Sequence, residues 1–311
     1  MKLSLTPTPP TYTMYTALTY IPSSPSLLVA TDNATLLKFS HDGDAEEGGK
    51  EGGLEVGVTD VAWFPNAGKQ VVDMFAAACT DGSLRFLKKS GLLEKKIAAH
   101  NGAVIGVAWN ADGSSLCTCG EDGEVKIWSR NGNLRTSLFS AGSPVNAVCW
   151  GPTGRELLVA YDNLLTVKSA GSGSGAASKK TMQWQVMEKG CGVVTTCDWN
   201  AVNNLIVTGG EDCVYRVFDS YGLPLYVSKK SEHVVTSVRW RPNGNEFAVG
   251  SYNVVRLCDR TGWTYCRERT TGGSFMKIRW SADGTQLAGG TWSTRHHLSA
   301  KQGASRVASA A

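Results

Sequence analysis

A short motif that ends in tryptophan recurs along the chain and constrains its fold more than any other feature. An apolar residue, one further residue and a tryptophan precede a turn, as in VAWFPNAG (61–68), VAWNADG (107–113) and IRWSADG (278–284). The marker tryptophans are Trp63, Trp109, Trp150, Trp199, Trp240 and Trp280, which lie 40 to 49 residues apart. Tyr20 takes the tryptophan position in a degenerate unit 43 residues before the first marker, so we count seven units.

A repeat near 40 residues, with short alternating strands in each unit, is typical of a β-propeller of the WD40 type. The chain has 35 glycines and 10 tryptophans, as expected for tight turns between aromatic-rich strands. Segments such as EVKIW, LLTVK and VYRVF are β-branched or alternating, which favours strands over helices. We therefore predict an all-β, seven-bladed WD40-type propeller over residues 1–290.

The segment after this propeller departs from the repeat. Residues 291–311 are polar and show no alternation, so we predict an irregular polar tail there. The last blade is then expected to be incomplete or irregular, with an exposed edge.

Two insertions interrupt the repeat, at 41–57 and 169–180. The acidic, glycine-rich HDGDAEEGGKEGG predicts a mobile loop between the first two units. The second insertion, SAGSGSGAASKK, follows a strand and contains G-x-G-x-G, as a dinucleotide-binding loop does. No amphipathic helix or βαβ unit follows it, so we interpret it as a flexible linker.

The acidic stretch GEDGEVKIWSRNG (120–132) could be a metal loop, a catalytic carboxylate pair or part of the blade framework. A calcium loop needs ligands at alternate positions and a distal glutamate, and this stretch lacks that glutamate. In blades of this type a histidine, a Ser or Thr, an aspartate and a tryptophan form a hydrogen-bonded chain. The third unit supplies all four as His100, Thr118, Asp122 and Trp128, so we predict a structural tetrad.

No motif indicates catalysis. The sequence contains no G-x-S-x-G, H-E-x-x-H or P-loop, and polar residues that converge at the centre of a ring are not apparent. We therefore expect no enzyme activity, no catalytic residue, no cofactor and no metal. The nine cysteines are an odd number and lie mostly in apolar runs, so we predict reduced structural thiols.

Composition also bears on partners. The net charge of +4 is too mild to indicate nucleic-acid binding. No run approaches the roughly 18 apolar residues that cross a bilayer, and MKLSLTPTPP lacks the apolar core of a secretory signal. We expect no direct membrane insertion and no nucleic-acid partner.

Basic residues recur in two sets of turns. Turns between first and second strands and turns between third and fourth strands lie on the same face of a propeller. Our hypothesis is that this face is electropositive and binds an acidic protein partner; solvated turns with no partner are the alternative. The candidate residues are Lys88, Lys89, Arg130, Arg155, Lys168, Arg241 and Arg260.

Several stretches are more specific than a generic repeat. HNGAVIGVAWNADGSSLCTCGEDGEVKIWSRNGNLRTSL, WNAVNNLIVTGGEDCVYRVFDSYGLPLY and FAVGSYNVVRLCDRTGWTY, followed by IRWSADGTQLAGG, closely resemble the N-terminal propeller of the intraflagellar transport protein 80 family. Members of that family are WD-repeat subunits of intraflagellar transport complex B. The resemblance covers most of residues 60–290 and is weaker in the first unit and in both insertions.

The resemblance implies a non-enzymatic scaffold subunit that takes part in assembling the cilium or flagellum and in cargo transport along axonemal microtubules. It implies that the partners are other complex B subunits, including one with a calponin-homology domain. It also implies a location in the cilium or flagellum, at the ciliary base and in the cytoplasm. The alternative is a peptide-recognition WD40 adaptor in ubiquitin or chromatin complexes.

Overall fold

The computed structural model describes residues 2–7, 14–22, 24, 26–40, 45–51, 54–65, 73–171, 181–292 and 295–301. Within these residues every regular element is a β-strand. Six four-stranded sheets and one three-stranded sheet are present in this part of the chain. Their innermost strands contact one another in a closed ring, which is the arrangement of a β-propeller.

The strands, in chain order, fall into blades as follows. Strand β1 (Lys2–Pro7) precedes blade 1, which is β2 (Tyr15–Tyr20), β3 (Leu27–Thr31), β4 (Leu36–Phe39) and β5 (Ala45–Glu51). Blade 2 is β6 (Val58–Trp63), β7 (Met74–Cys79), β8 (Ser83–Lys88) and β9 (Leu93–Ala98). Blade 3 is β10 (Val104–Trp109), β11 (Ser115–Gly120), β12 (Glu124–Ser129) and β13 (Leu134–Ser140).

Blade 4 is β14 (Val145–Trp150), β15 (Glu156–Tyr161), β16 (Leu164–Ser169) and β17 (Met182–Gln185). Blade 5 is β18 (Val194–Trp199), β19 (Ile206–Gly210), β20 (Tyr215–Phe218) and β21 (Pro224–Val227). The three-stranded sheet is β22 (Ser237–Trp240), β23 (Glu246–Asp259) and β24 (Thr264–Ser274). The closing blade is β25 (Lys277–Trp280), β26 (Gln286–Gly290), β27 (Arg295–Lys301) and β1.

The prediction of seven blades, the last of them incomplete, is wrong. Six blades are complete in the described residues, and the incomplete sheet is the three-stranded one that precedes the closing blade. Ser251-Tyr252-Asn253 stands there in place of an acidic turn, and these residues belong to the single 14-residue strand β23. That strand pairs with β22 through Phe247–Gly250 and with β24 from Tyr252 onward, so one strand replaces two.

The closing blade is completed from both ends of the chain. Strand β27 lies within the segment expected to be an irregular tail, and it pairs antiparallel with β26 and with β1. The register with β1 runs from Lys2 opposite Lys301 to Pro7 opposite His296. This pairing joins the first described strand to the last and closes the ring.

The insertions also differ in part from expectation. Strand β5 lies in the segment predicted to be a mobile acidic loop, and it pairs with β4 as the outermost strand of blade 1. Residues 41–44 and 52–53 of the first insertion and 172–180 of the second lie outside the described residues.

The apolar core is divided among the contacts between neighbouring sheets. Between blades 1 and 2, for example, Leu28 and Ala30 pack with Phe75 and Ala77 in one buried cluster. Equivalent clusters fill each of the other sheet-to-sheet contacts around the ring. Burial of these apolar faces supplies the main stabilisation, since it removes apolar area from water in proportion to its size.

The marker tryptophans end the innermost strands, and three of the six donate a hydrogen bond to the sheet before their own. The indole Nε1 of Trp109 donates to the Ala62 carbonyl at 3.3 Å, and that of Trp150 donates to the Ala108 carbonyl at 2.9 Å. Trp280 donates in the same way to Arg239 at 3.1 Å. The Trp199 indole instead donates to Asn204 Oδ1 at 2.9 Å, and the buried Nε1 atoms of Trp63 and Trp240 have no hydrogen-bond partner among the described residues.

The turn after the marker needs glycine at its end for a backbone reason. Gly113, Gly154, Gly244 and Gly284 all have φ between 65° and 72°, in the left-handed region. Residues with a Cβ atom are disfavoured there, which explains why W-x-x-x-G recurs in the sequence.

Phe275 offers a test of the core between the three-stranded sheet and the closing blade. Its side chain is fully buried, and a Cβ on Gly289 would lie 2.5 Å from its ring, so the ring fills space that this glycine leaves. We expect Phe275→Ala to lower the free energy of unfolding by about 3–5 kcal/mol. Urea denaturation followed by tryptophan fluorescence measures this. Tyr221→Ala, at a side chain that is 73% exposed, is the control, and equal stability of the two variants contradicts the prediction.

Candidate interaction surface

The four residues of the predicted tetrad form a continuous chain of hydrogen bonds in blade 3. His100 Nε2 lies 2.7 Å from Thr118 Oγ1, and His100 Nδ1 lies 2.8 Å from Asp122 Oδ1. The Trp128 indole donates to Thr118 Oγ1 at 2.9 Å. A Cβ on Gly120 would lie 2.7 Å from His100 Nδ1, so only glycine leaves room for this histidine.

The Asp122 carboxylate also closes the turn that carries it. It accepts hydrogen bonds from the amides of Asn101 at 2.9 Å and Glu124 at 3.1 Å. Burial acts to raise the pKa of Asp122, but the bonds from His100 and these amides outweigh it and lower the pKa. Burial is the largest influence on His100 and lowers its pKa, although its bond to Asp122 acts in the opposite direction. The Asp122 charge of the acidic stretch is therefore engaged in hydrogen bonds within blade 3.

In three blades, a basic residue four positions after the turn aspartate is a partner that the sequence analysis missed. Arg85 forms an ion pair with Asp81 at 3.1 Å in blade 2, and Arg216 with Asp212 at 2.6 Å in blade 5. Lys126 holds the equivalent position in blade 3 and donates to a backbone carbonyl at 2.7 Å. The spacing D-x-x-x-[RK] recurs in the sequence and was the signal for these pairs.

The turns that carry the seven predicted cations lie on one face of the ring, which we call the turn face. Within blade 4, the Arg155 carbonyl accepts a hydrogen bond from the Ala170 amide at 2.7 Å. This bond links the turn between the first and second strands to the turn between the third and fourth strands. Between sheets, Asn200 Nδ2 donates to the Arg241 carbonyl at 3.1 Å. The cations are nevertheless spread around the ring, in blades 2, 3 and 4 and the three-stranded sheet.

Four of the seven cations are held by neighbours. Lys88 forms an ion pair with Glu94 at 3.2 Å, and Arg241 pairs with Glu246 at 3.3 Å. The Arg130 guanidinium lies 4.5 Å from the Phe64 ring centroid, and Lys168 Nζ lies 4.8 Å from that of Phe139. Such cation–π contacts anchor a charge without neutralising it.

The remaining three are Lys89, Arg155 and Arg260. Arg155 and Arg260 are exposed and Lys89 is half-buried. None of the three makes an ion pair within 4.0 Å in the described part of the chain. These three are the cations of the turn face that a partner could meet directly.

The turn face carries acidic residues as well. The Asp112 carboxylate accepts the Ser114 amide at 2.8 Å, and this bond holds the pKa of Asp112 below its usual value. Equivalent aspartates bond amides of their own turns: Asp219, Asp259 and Asp283. The face therefore presents charges of both signs.

A cluster of charged residues lies at the centre of the ring, where we had expected no converging polar residues. Arg279 Nη2 lies 3.1 Å and Lys277 Nζ 3.7 Å from Asp60 Oδ1. Arg239 Nη1 lies 2.7 Å from Asp198 Oδ1. All five side chains come from innermost strands, namely β6, β18, β22 and β25. The prediction that the centre lacks converging polar groups is wrong.

The central cluster braces the ring from within. Because β2 lies between β6 and β25, the Asp60–Arg279 pair spans blade 1. Burial acts to raise the pKa of Asp60, but the Lys277 and Arg279 charges outweigh it and lower the pKa. The signal was present in the sequence: these residues stand one or three positions before a marker tryptophan.

No group of three or more His, Cys, Asp or Glu side chains is placed to hold a metal in the described ranges. All nine cysteines are unbonded, and burial raises the pKa of Cys79 to about 11. No helix of the described chain is long and apolar enough to cross a membrane.

Comparison with known proteins agrees with the ring architecture. The family model for the WD domain, G-beta repeat, matches residues 91–129 and 184–219. The small ribosomal subunit protein RACK1 of Glycine max is 28% identical over 145 residues, which is 40% of this chain and 42% of that protein. The chain is thus a WD-repeat β-propeller.

A more specific likeness covers most of the chain. The intraflagellar transport protein 80 homologs of Mus musculus and Rattus norvegicus are each 44% identical to it over 234 residues, or 74% of this chain. The resemblance to the intraflagellar transport protein 80 family is thereby confirmed. The chain spans 29% of the length of these relatives.

The tetrad predicts a pH dependence of stability. Since the unfolded histidine has a pKa near 6.5 and burial lowers the pKa of His100, the unfolded state binds more protons as the pH falls below about 6.5. Stability is therefore lost on acidification. We expect the Tm to fall between about pH 7.5 and pH 5.5, and to fall less in His100→Gln. His233→Gln, at an exposed histidine, should keep the wild-type decline. A full decline in His100→Gln would contradict the assignment.

The central cluster predicts an asymmetric mutational effect. Asp60→Asn leaves Lys277 and Arg279 without their buried counter-charge, and we expect a loss of about 3–5 kcal/mol in unfolding free energy. Adding Lys277→Met and Arg279→Met should restore part of it, because the uncompensated cations are then gone. Urea denaturation measures all three proteins, with the exposed Glu188→Gln as control. No restoration in the triple variant would count against a charge-balancing role.

Proposed function

We propose that this chain is a non-enzymatic interaction subunit of intraflagellar transport complex B. Its work would be in assembling the cilium or flagellum and in cargo transport along axonemal microtubules. The observation that carries the proposal is the 44% identity to the mouse and rat intraflagellar transport protein 80 homologs over 74% of this chain. The corresponding location is the cilium or flagellum, the ciliary base and the cytoplasm.

The architecture supports a binding role over a catalytic one. The central charges are engaged in ion pairs with each other, and the tetrad charges are used inside a blade. The tetrad does place the Thr118 hydroxyl beside His100, but Thr118 is fully buried and is bonded to Trp128, so a substrate could not reach it as covalent catalysis requires. A rigid ring with turns on two faces is suited to holding partner proteins in a fixed relation.

The proposed partners are other complex B subunits, including one with a calponin-homology domain. We assign their contact to the turn face, through the candidate residues Lys88, Lys89, Arg130, Arg155, Lys168, Arg241 and Arg260. Lys89, Arg155 and Arg260 would act directly, since the other four are already held by neighbours. Because the face carries both signs of charge, the partner surface would need a matching pattern of charges more than a high net charge.

A pull-down from a lysate of ciliated cells tests this assignment. The tagged chain is compared with a Lys89→Glu, Arg155→Glu, Arg260→Glu variant, and bound proteins are identified by mass spectrometry. We expect transport-complex subunits with the wild type and at least a roughly tenfold reduction with the variant. Lys189→Glu, which reverses an exposed charge away from the turn face, is the control and should bind as the wild type does.

Other outcomes separate the two parts of the proposal. Equal recovery by all three proteins would keep the transport assignment and refute the turn face as the contact. No transport subunits with a correctly folded wild type would contradict the assignment itself. That result would favour the peptide-recognition adaptor of ubiquitin or chromatin complexes.

A further inference from the structure

A groove of about 550 Å³ lies on the side of the ring, between blade 5 and the three-stranded sheet. One wall is the outermost strand β21 with the residues that follow it, and the other is formed by β23 and β24. Four cations line the groove, and Glu232 is the one acidic residue among its described lining residues. The cations are Lys229, Lys230, Arg256 and Arg267.

Two of these cations are placed against each other. Arg256 and Arg267 are direct partners in the antiparallel ladder between β23 and β24. Like charges at such positions destabilise a sheet. Burial and the Arg267 charge lower the pKa of Arg256, and the Glu232 charge, which acts in the opposite direction, does not outweigh them.

The Arg256 guanidinium also lacks a partner that its burial requires. Its Nη1 atom is buried and has no hydrogen-bond partner among the described residues. None of the four cations forms an ion pair within 4.0 Å in that part of the chain. A buried donor left unsatisfied is costly, so the site is incomplete as the isolated chain presents it.

Exposed apolar side chains lie beside the cations of the groove. Trp263 lines the groove with 69% of its surface exposed, and its ring centroid lies 6.3 Å from that of Tyr226. Val227 on the opposite wall is 54% exposed. Exposed tryptophan next to arginine is the composition of an interaction hot spot.

Protection of the sheet edge explains only part of this arrangement. Lysines beside an outermost strand discourage pairing with other chains, and Lys229 and Lys230 directly follow β21. That role needs exposed charges, and it does not account for the half-buried Arg256, whose Nη1 is buried, opposite a second arginine. An anion bound between Arg256 and Arg267 would reduce the repulsion between them.

We propose that this groove binds an acidic peptide segment of a partner protein, with a carboxylate seated on Arg256 and Arg267 and an apolar side chain packed on Trp263. Arginine presents a planar fork of donors that matches a carboxylate in a bidentate manner. The partner anion would satisfy Arg256 Nη1 and screen the repulsion between the two arginines. The groove is separate from the turn face, and the proposal holds whichever assembly the chain joins.

Fluorescence anisotropy with the purified full chain tests the groove. The probe is a short labelled peptide in which glutamates flank a central leucine, and the reference peptide has glutamine in place of each glutamate. We expect the glutamate peptide to bind more tightly and to weaken with added salt. Arg256→Gln with Arg267→Gln should reduce the affinity at least about tenfold, as expected for lost charged hydrogen bonds. Arg135→Gln with Lys189→Gln removes the same charge at two exposed positions outside the groove and should leave the affinity unchanged.

A stability measurement separates binding from structure. If the arginines are kept for a ligand, Arg256→Gln relieves repulsion and the Tm of the free protein should rise by roughly 1 °C. A lower Tm would show a structural role and overturn the proposal. Equal binding of both peptides, or equal loss in the two double variants, would also overturn it. Binding of a phosphoserine peptide but not the glutamate peptide would refute the carboxylate assignment.

Discussion

Packing of apolar faces is the interaction that every contact between neighbouring sheets shares, and at three of these contacts a marker tryptophan adds a hydrogen bond to the innermost strand of the preceding sheet. Trp109, Trp150 and Trp280 all make it, at 2.9 to 3.3 Å. Each such bond fixes one sheet against its neighbour at a constant position, so sheets related by the bond follow one another around an axis. Apolar clusters then fill the contacts between sheets, and pairing of β1 with β27 closes the circle. The roughly 40-residue spacing in the sequence is the length of chain needed to build one sheet and return to the centre.

The features that the sequence indicates most directly are those encoded locally. A marker tryptophan, the turn after it and the residues of the tetrad each occupy a short stretch, and their chemistry admits few alternatives. The errors lie where pairing partners decide the structure. Strand β23 runs through Ser251-Tyr252-Asn253 because Tyr252 pairs with Ser274, 22 residues further along. Strands β5 and β27 are polar and lack alternation, and they are strands because an outer edge offers them hydrogen bonds. No periodicity in their own residues indicates that.

The central cluster shows the same limitation at the level of side chains. Asp60 and Arg279 are 219 residues apart, and each alone is an ordinary charge next to a strand. Their contact follows from the closure of the ring. In the innermost strands, the residues one and three positions before the marker tryptophan face the axis. A sequence comparison among the units of this chain could have found them, since the charges recur at those two positions.

The state of its charges distinguishes three regions of the molecule. At the centre, each cation has a carboxylate within 4.0 Å, so those charges serve the fold. On the turn face, some cations are held by their own neighbours and others point to solvent among aspartates that bind their own turns. In the groove beside blade 5, two arginines oppose each other with a buried donor unsatisfied. Folding alone would select against the last arrangement, because replacing either arginine would relieve it. The opposition of two arginines in the strand ladder of a basic groove is therefore better explained by an anion supplied from outside the chain.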